Sequence, residues 1–331
     1  MTIISHNRYS SSWPIIKRHF KTALPHLNLK KTVNVLLSRL EKAAGAEVLR
    51  SKPYFIKIEP TNLCNLKCRG CLHAAENNAL SGSGKTGSID IGLFKKVVNE
   101  LKQYLVKVSL YSMGEPLIYP RIAEIVKILS DNNIGSVISS NLNILSPELA
   151  RGLVKNRLSH LIVAMDGCDD ESYAEYRQGG DFGKVMENLK ILIAEKKRQN
   201  SKYPLIEIQT IAPEKNDRKK IEKIMAIAEK LGIDYFSVKK DLREEYGNPQ
   251  PKQKTCFWLY GHPQIKFDGT VQPCCFYYND ELNNFGSVND GNMEEIWNNE
   301  KFRAARKYFK DGKKSDPYLS CHKCIFFKPK K

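Results

Sequence analysis

Three cysteines stand close together in the sequence, directly after an apolar run. They are Cys64, Cys68 and Cys71, spaced C-x3-C-x2-C, and they follow the strand-like residues 54–58. A loop can turn three such thiolates toward one point, and thiolates are the ligands that iron–sulfur clusters select. Because a cubane contains four irons, three cysteines leave one iron open, whereas a fourth ligand closes a structural zinc site. The spacing therefore predicts an iron–sulfur site with one reactive iron.

Five more cysteines lie in the last quarter of the chain, at Cys256, Cys274, Cys275, Cys321 and Cys324. Adjacent strand residues point to opposite faces, so we expect only one of the neighbouring pair, Cys274, to bind the same metal as Cys256. With Cys321 and Cys324 these two residues predict a closed four-thiolate site. On spacing alone, zinc is the commoner occupant of such a site.

Two predicted elements bring these cysteines together. Residues 264–272 contain Asp268-Gly269 between two short runs, which predicts a tight hairpin that leads into Cys274. A helix predicted over 293–309 then returns the chain toward Cys321. The charged, proline-containing stretch 241–255 that precedes them predicts a linker between domains.

Most of the chain follows the pattern of an α/β fold. Strand-like and helical runs alternate from residue 54 to about residue 240, in six units, which implies a parallel sheet. Six strands are too few to close the usual barrel of eight, so we predict a partial (β/α)6 TIM-like barrel with a small C-terminal domain. The predicted domains are a basic helical segment at residues 1–50, the partial barrel at residues 51–240 and the cysteine-rich domain at residues 241–331.

The N-terminal segment contains an amphipathic stretch at residues 27–49. We predict that this stretch is helical and that it packs on the outside of the core. Docking on a membrane surface or on a substrate is the alternative for such a helix. The apolar residues at helical spacing are Leu29, Val33, Leu36, Leu37 and Leu40.

Polar and glycine residues follow several predicted strands, which is where parallel α/β folds place their chemistry. Gly114 and Glu115 follow the second strand: a glycine lets the backbone approach a ligand, and a carboxylate accepts hydrogen bonds from an ammonium group. The third strand ends at Ser140-Asn141. Asp166 follows the fourth strand, and the next helix carries Arg177.

In this order the motifs resemble those of the radical S-adenosylmethionine (radical SAM) enzymes. Glu59-Pro60-Thr61-Asn62 introduces the cysteine motif, and residues 112–116 and 165–177 resemble the GGE-type and DG…Y…R segments of that family. One position departs from the pattern, because Gly70 stands where the family usually has an aromatic residue.

The resemblance implies a role for each of these residues. The cysteine motif holds a [4Fe–4S] cluster whose open iron chelates SAM. Gly114 and Glu115 bind the amino group of SAM, Ser140 and Asn141 lie near its ribose, and Arg177 in the Asp166–Arg177 segment pairs with its carboxylate. Reductive cleavage of SAM then gives a 5'-deoxyadenosyl radical, which takes a hydrogen atom from the substrate.

The C-terminal part resembles the SPASM or twitch extension of these enzymes, through residues 269–275, Phe285-Gly286 and Ile296-Trp297. This resemblance implies one auxiliary [4Fe–4S] cluster instead of zinc on Cys256, Cys274, Cys321 and Cys324. A closed cluster favours electron transfer, and hence oxidation by dehydrogenation of a sugar- or cyclitol-like substrate or by cross-linking of a peptide. Redox-neutral dehydration or epimerisation is the alternative, with Cys168 or Cys275 as hydrogen-atom donor.

Composition limits the partners and the location. The 331 residues carry a formal net charge of +17, which favours an acidic electron donor, such as a flavodoxin or ferredoxin, and an anionic substrate. The absence of an RNA-binding motif with interleaved aromatic residues argues against nucleic acid. The absence of a long apolar run or a signal peptide, and the odd number of cysteines, predict a cytoplasmic protein with reduced thiols. A non-catalytic zinc and nucleic-acid-binding protein is the alternative from another class.

Overall fold

Two units make up the fold, each assembled from segments that are distant in sequence. Unit 1 contains residues 1–26, 63–76 and 113–241, and unit 2 contains residues 27–62, 77–112 and 242–331. The structure is a computed structural model that describes residues 1–6, 13–71, 73, 86–212, 218–240, 252–253, 255–275, 280–312 and 319–328. Most of the predicted linker at 241–255 lies outside the described residues.

Unit 1 is built on a parallel sheet of five strands with helices between them. Numbered along the whole chain, its strands are β1 (Thr2–His6), β4 (Gly135–Ser140), β5 (His160–Ala164), β6 (Leu205–Ala212) and β7 (Tyr235–Lys240). Its helices are α1 (Trp13–Ala23), α4 (Ile122–Asp131), α5 (Pro147–Lys155), α6 (Asp170–Tyr176), α7 (Phe182–Arg198) and α8 (Arg218–Lys230). The strand order is β1-β7-β6-β5-β4, and every neighbouring pair is parallel.

Unit 2 contains shorter strands. They are β2 (Phe55–Ile58), β3 (Lys107–Ser109), β8 (Lys252–Gln253), β9 (Gln264–Ile265), β10 (Val271–Gln272) and β11 (Phe327–Lys328). Its helices are α2 (Leu29–Ala44), α3 (Ile91–Leu101), α9 (Asp280–Asn283), α10 (Met293–Trp297) and α11 (Glu300–Asp311). Strands β3, β2, β9 and β10 pair in that order, and β9 and β10 form the predicted antiparallel hairpin.

The predicted α/β class is confirmed. Strands β2 to β7 alternate with helices, they pair in parallel within each unit, and the sheet does not close into a barrel. The central strands are buried almost throughout, as in β5, where Leu161 and Val163 are inaccessible, as is usual for parallel strands. Strand β1 was not predicted, and it pairs with β7 from Thr2 opposite Tyr235 to His6 opposite Lys239.

Helix α2 reverses the packing predicted for its apolar face. Leu29, Val33, Leu36 and Leu40 are 82%, 54%, 54% and 69% exposed. The side chains that the helix buries are polar: Lys31, Asn34 and Ser38. The helix is confirmed and it packs on unit 2, but through its polar face instead of the leucine face.

The reason for this reversal lies in what unit 2 presents to the helix. Asn34 exchanges two hydrogen bonds with the backbone of Lys52, at 2.9 and 2.8 Å, and the Ser38 hydroxyl donates to the carbonyl oxygen of Tyr260. Buried backbone groups need hydrogen-bond partners. The polar face of the helix supplies them, so the apolar face points outward.

The helix predicted over 293–309 is two helices, α10 and α11. Asn299 caps α11 by accepting a hydrogen bond from the Phe302 N–H, and Asn298 binds both backbone groups of Leu49. Asparagine side chains compete with helical hydrogen bonds in this way. Asn298-Asn299 therefore ends one helix and starts the next within the apolar pattern that suggested a single helix.

Among the described helices, none is both long enough and apolar enough to span a bilayer.

Candidate active site

The three cysteines of the first motif lie on a loop whose backbone is fixed by another segment of unit 1. The Lys67 N–H donates to the carbonyl oxygen of Gln178, and the Arg69 N–H donates to that of Tyr176, both at 2.9 Å. The Cys71 N–H closes a turn onto the carbonyl oxygen of Cys68 at 3.0 Å. The end of helix α6 therefore positions the loop, a contact that the sequence pattern did not predict.

Gly70 has a structural reason to be glycine. Its φ angle is +66°, in the left-handed region that glycine enters without the steric penalty of a Cβ atom. This is the position at which the family pattern has an aromatic residue. The loop here takes a left-handed backbone conformation, which is unfavourable for a residue with a large side chain.

Arg177 links the loop to the end of strand β5. Its Nε and Nη2 atoms lie 2.7 and 2.5 Å from Oδ2 of Asp166, and Nη1 donates to the sulfur of Cys68 at 3.7 Å. The other Asp166 oxygen accepts a hydrogen bond from the Ile211 N–H at 2.7 Å. Asp166 is almost completely buried. Burial acts to lower the pKa of Arg177, but Asp166 and Cys68 outweigh that effect and raise it, so the guanidinium stays charged beside the thiol.

Glu115 is buried and already holds part of the backbone. Its Oε1 accepts a hydrogen bond from the Leu117 N–H at 3.0 Å, and Oε2 accepts one from the Asn141 N–H at 2.7 Å. Burial raises the pKa of its carboxyl group, and these backbone donors oppose the rise. A carboxylate offers about four acceptor positions, so Glu115 keeps capacity for a further donor. Gly114 stands next to it in the loop.

The end of strand β4 joins the same site. The Asn141 Nδ2 donates to Oδ1 of Asn65, which lies within the cysteine motif, at 3.0 Å. The Ser140 hydroxyl accepts a hydrogen bond from the Leu142 N–H at 2.8 Å, and both Ser140 and Asn141 are buried. Unit 1 thus gathers the cysteine loop, Glu115, the 140–141 pair and the Asp166–Arg177 pair through shared hydrogen bonds.

A second group of cysteines lies in unit 2, around a cavity of about 130 Å³. Cys256, Cys274, Cys321 and Cys324 line it together with apolar side chains, among them Leu259 and Phe309. The adjacent Cys275 is not among the lining residues and lies beside Lys57 instead. The structure therefore brings together the four cysteines that the spacing selected.

Both groups have the chemistry of iron–sulfur ligands. Burial raises the pKa of Cys64 to about 11 and that of Cys256 to about 12, so these thiols keep their protons until a metal replaces them. Backbone N–H groups point at several of the sulfurs, as in the bond from Phe327 N–H to Cys324 at 3.4 Å. Such hydrogen bonds tune thiolate-bound clusters. The donor sets fit the clusters that the sequence predicts.

Among the described residues, no three or more histidine, cysteine, aspartate or glutamate side chains lie in a group that could hold a single metal ion. A four-iron cube spaces its ligands more widely than one ion does, so this observation concerns mononuclear sites.

The remaining candidate, Cys168, follows strand β5 in unit 1. Its thiol is half-buried and donates to Oδ2 of Asp169 at 3.4 Å, and it lies 3.7 Å from the hydroxyl of Ser172. These contacts belong to the capping box at the start of α6.

Comparison with known families identifies both parts of the chain. The radical SAM superfamily matches residues 58–212, and an iron–sulfur cluster-binding domain, SPASM, matches residues 256–325. The two matches together cover more than half of the chain. They contain all the cysteines assigned above to the two groups.

Individual relatives are distant. An AdoMet-dependent heme synthase of Methanosarcina barkeri is 24% identical over 69% of this chain and 64% of its own length. A GTP 3',8-cyclase of Alkaliphilus oremlandii is 26% identical over 41% of this chain and 42% of its own length. The chain thus spans less than two thirds of either curated relative.

Among solved structures, Streptococcus suis SuiB bound to S-adenosylmethionine has a similar fold, with a TM-score of 0.65 and 15% sequence identity. The match covers 95% of this chain and 86% of the SuiB chain. This similarity concerns the fold, and it confirms the predicted partial barrel.

The Asp166–Arg177 pair generates a prediction about stability. We expect Asp166→Asn to lower the free energy of unfolding by about 3–5 kcal/mol, because an amide cannot neutralise Arg177 and one buried cation is left uncompensated. Urea unfolding under anaerobic conditions measures this loss. Asp131→Asn is the matched control: it breaks the exposed pair with Lys127 and is expected to cost no more than about 1 kcal/mol. Equal losses of unfolding free energy in the two variants would contradict the interpretation of Asp166–Arg177 as a buried, stabilising ion pair.

Proposed function

We propose a reaction for this chain from the premise that it belongs to the radical SAM superfamily and carries a SPASM domain after the radical SAM domain. These two domains imply SAM and [4Fe–4S] clusters as its cofactors. The reaction that we propose is the removal of a hydrogen atom from a bound substrate, followed by oxidation of the substrate.

We assign the SAM-binding cluster to Cys64, Cys68 and Cys71. When bound there, the reduced cluster and SAM supply the 5'-deoxyadenosyl radical. The role of the protein is to position the three thiols, and the backbone hydrogen bonds from Lys67 and Arg69 do so. The Arg177 guanidinium beside Cys68 adds a positive charge that stabilises the thiolate form.

The polar groups around the cysteine loop suit the polar parts of SAM. Glu115 has acceptor capacity left for the ammonium group, with Gly114 allowing close approach of the backbone. We assign the Ser140-Asn141 pair, of which Asn141 is held by Asn65, to the ribose hydroxyls. Arg177, oriented by Asp166, is the cation for the carboxylate, and a guanidinium held by one carboxylate keeps its remaining donors in a fixed direction.

The single observation that carries the oxidative outcome is the cavity that Cys256, Cys274, Cys321 and Cys324 line together. Four thiolates occupy all four irons of a [4Fe–4S] cluster. Such a cluster, when bound in this cavity, would supply an electron acceptor and no open iron. Oxidation removes one hydrogen atom, one electron and one proton from the substrate. The substrates that we propose are a peptide, as in the SuiB structure bound to a precursor peptide, or a sugar- or cyclitol-like molecule.

A redox-neutral dehydration or epimerisation is the second candidate. Cys275 favours it, because its buried thiol lies beside the Lys57 ammonium instead of in the four-cysteine cavity. A thiol at a substrate radical returns a hydrogen atom, so the substrate is not oxidised. The thiyl radical that remains on Cys275 is reduced back to the thiol by one electron from the redox partner and one proton.

The electron that starts the reaction has to come from a partner. We propose an acidic flavodoxin or ferredoxin, because the chain carries a net charge of +17 and opposite charge raises the rate of encounter.

Two sets of cysteine variants test the proposal. We expect the triple variant Cys64, Cys68, Cys71→Ala to lose about four irons and to form no 5'-deoxyadenosine from SAM and dithionite. Cys321→Ala is expected to lose the auxiliary iron but to keep SAM cleavage without substrate. Cys168→Ala, which removes a thiol outside both groups, controls for loss of a cysteine. Iron analysis and chromatography of 5'-deoxyadenosine give the readouts.

SAM cleavage by the triple variant would refute the assignment of the first site. A wild-type protein that binds zinc and no iron would support the non-catalytic alternative instead.

A further inference from the structure

A row of polar residues crosses the four-stranded sheet of unit 2. Lys57 on β2 is opposite Ser109 on β3 and Gln264 on β9, and Gln264 is opposite Gln272 on β10. Residues paired across strands point to the same face, and their neighbours along each strand point to the other face. Those neighbours are apolar and buried: Ile56, Ile58, Val108, Ile265 and Val271. One face of the sheet therefore packs in the core, and the opposite face carries the polar row.

This row contains a buried acceptor that the described residues leave unsatisfied. Nε2 of Gln264 donates to the Ser112 hydroxyl at 2.9 Å and lies 3.3 Å from Oε1 of Gln272. Its Oε1 is buried and has no hydrogen-bond partner among the described residues, and the residue is 2% exposed. Buried polar atoms almost always have a partner. A donor from a bound molecule would complete this one.

The row also contains a cation. Nζ of Lys57 lies 4.6 Å from the centre of the Tyr111 ring, and the Cys275 thiol is its other near neighbour. Burial acts to lower the pKa of Lys57, but Cys275 and Tyr111 outweigh it and raise the pKa. Glu59 also acts to raise this pKa, but no carboxylate of the described residues lies within ion-pair distance of the ammonium group, so a ligand anion can still pair with it.

We propose that Lys57 and Gln264 form an anion-binding subsite for the substrate. Lys57 binds an oxyanion, a carboxylate or a phosphate, and Gln264 Oε1 accepts a hydrogen bond from a hydroxyl or amide N–H of the same molecule. The substrate class is therefore a hydroxylated or amide-bearing acid. This rests on the proposed function only in calling the ligand a substrate.

Binding of small probes tests the subsite without SAM or reductant. Glycerate and glycerol 3-phosphate supply the carboxylate and phosphate arms, and acetate and inorganic phosphate lack the hydroxyl donors. We expect the wild type to bind at least one hydroxylated probe about tenfold more tightly than its simple anion. Lys57→Met is expected to raise that Kd at least about tenfold, and Gln264→Leu to remove the advantage of the hydroxylated probe.

Lys95→Met controls for the loss of one charge from this basic protein, since Lys95 is exposed on α3 and is expected to leave binding as in the wild type. Far-UV circular dichroism and iron content establish that each variant is folded. Equal Kd values for the Lys57 and Lys95 variants, or no gain from the hydroxyl groups, would overturn the proposal. The binding assay needs no SAM, so it is independent of the SAM-cleavage assay. A failure of probe binding would overturn only the subsite, and a failure of SAM cleavage would overturn only the proposed function.

The outward apolar face of α2 carries a second, independent inference. Leu29, Val33, Leu36 and Leu40 recur every three or four residues, so they form one stripe, and each is more than half exposed. The exposed basic residues Lys30 and Arg39 lie on either side of the stripe. The one acidic residue of α2, Glu41, is not fully exposed and accepts hydrogen bonds from Arg50 and Ser51.

We propose that this face docks on an anionic lipid surface. An apolar stripe bordered by basic side chains is typical of helices that lie in the membrane interface. Charge favours an anionic lipid surface over a second copy of the chain as the partner. Self-association would place the basic borders of two stripes side by side, on two chains that each carry a net charge of +17.

Vesicle flotation tests the docking. We expect the wild type to float with 3:1 phosphatidylcholine–phosphatidylglycerol vesicles, to float less at high salt and to float weakly with phosphatidylcholine alone. The double variant Leu36→Glu, Leu40→Glu is expected to reduce the bound fraction at least about tenfold. Asn99→Glu, an exposed position on α3, adds negative charge away from the stripe and is expected to float like the wild type. Flotation of the double variant at the wild-type level would overturn the proposal, as would a wild-type dimer that the double variant dissociates without any vesicle binding.

Discussion

The contact of Arg177 with Asp166 and Cys68 is the interaction on which the candidate SAM site depends. Two nitrogens of Arg177 bind one carboxylate oxygen of Asp166, and the third nitrogen donates to the sulfur of Cys68. Because Asp166 follows β5 and its second oxygen holds the backbone at Ile211 on β6, the position of the thiol is set by two central strands of unit 1. A guanidinium buried in this way is stable only while its carboxylate is present. The same pair therefore serves the fold and the electrostatics of the thiol.

The two cysteine groups use the same type of ligand but differ in the number of cysteines and in their surroundings. In unit 1 the cysteines lie on one loop of eight residues, from Cys64 to Cys71, and polar groups surround them. In unit 2 the four cysteines come from three separate segments and line an apolar cavity. A short loop with three ligands leaves a coordination position for chemistry, and a closed set of four in apolar surroundings suits electron transfer.

The first cysteine group was predictable from spacing, because Cys64, Cys68 and Cys71 lie within eight residues of the chain. The cysteine motif followed from its spacing, and the strand-end residues followed from the ends of the predicted strands together with the resemblance to a family. The alternation of side chains along a strand indicated that only one of Cys274 and Cys275 joins the second group. Contacts between distant segments were not predictable, such as the support of the loop by Tyr176 and Gln178. Nothing in the types of those residues marks a backbone carbonyl as the partner.

The orientation of α2 shows the same limit in the fold. Periodicity identified the helix and its two faces, but it does not say which face is buried. The backbone of Lys52 and the carbonyl oxygen of Tyr260 decided that, and they are invisible in a pattern of apolar residues. Likewise, Asn298-Asn299 divided a helix whose apolar spacing continued across the break.

The most direct test of the central claim, that the three-cysteine loop holds a cluster with an open iron for SAM, is electron paramagnetic resonance of the reduced protein. Spectra of anaerobically reconstituted protein are recorded after dithionite reduction, with and without SAM. We expect SAM to change the signal of one cluster, because SAM binds the open iron of that cluster directly, and to leave the auxiliary signal unchanged. Identical spectra from iron-loaded protein with and without SAM would contradict it.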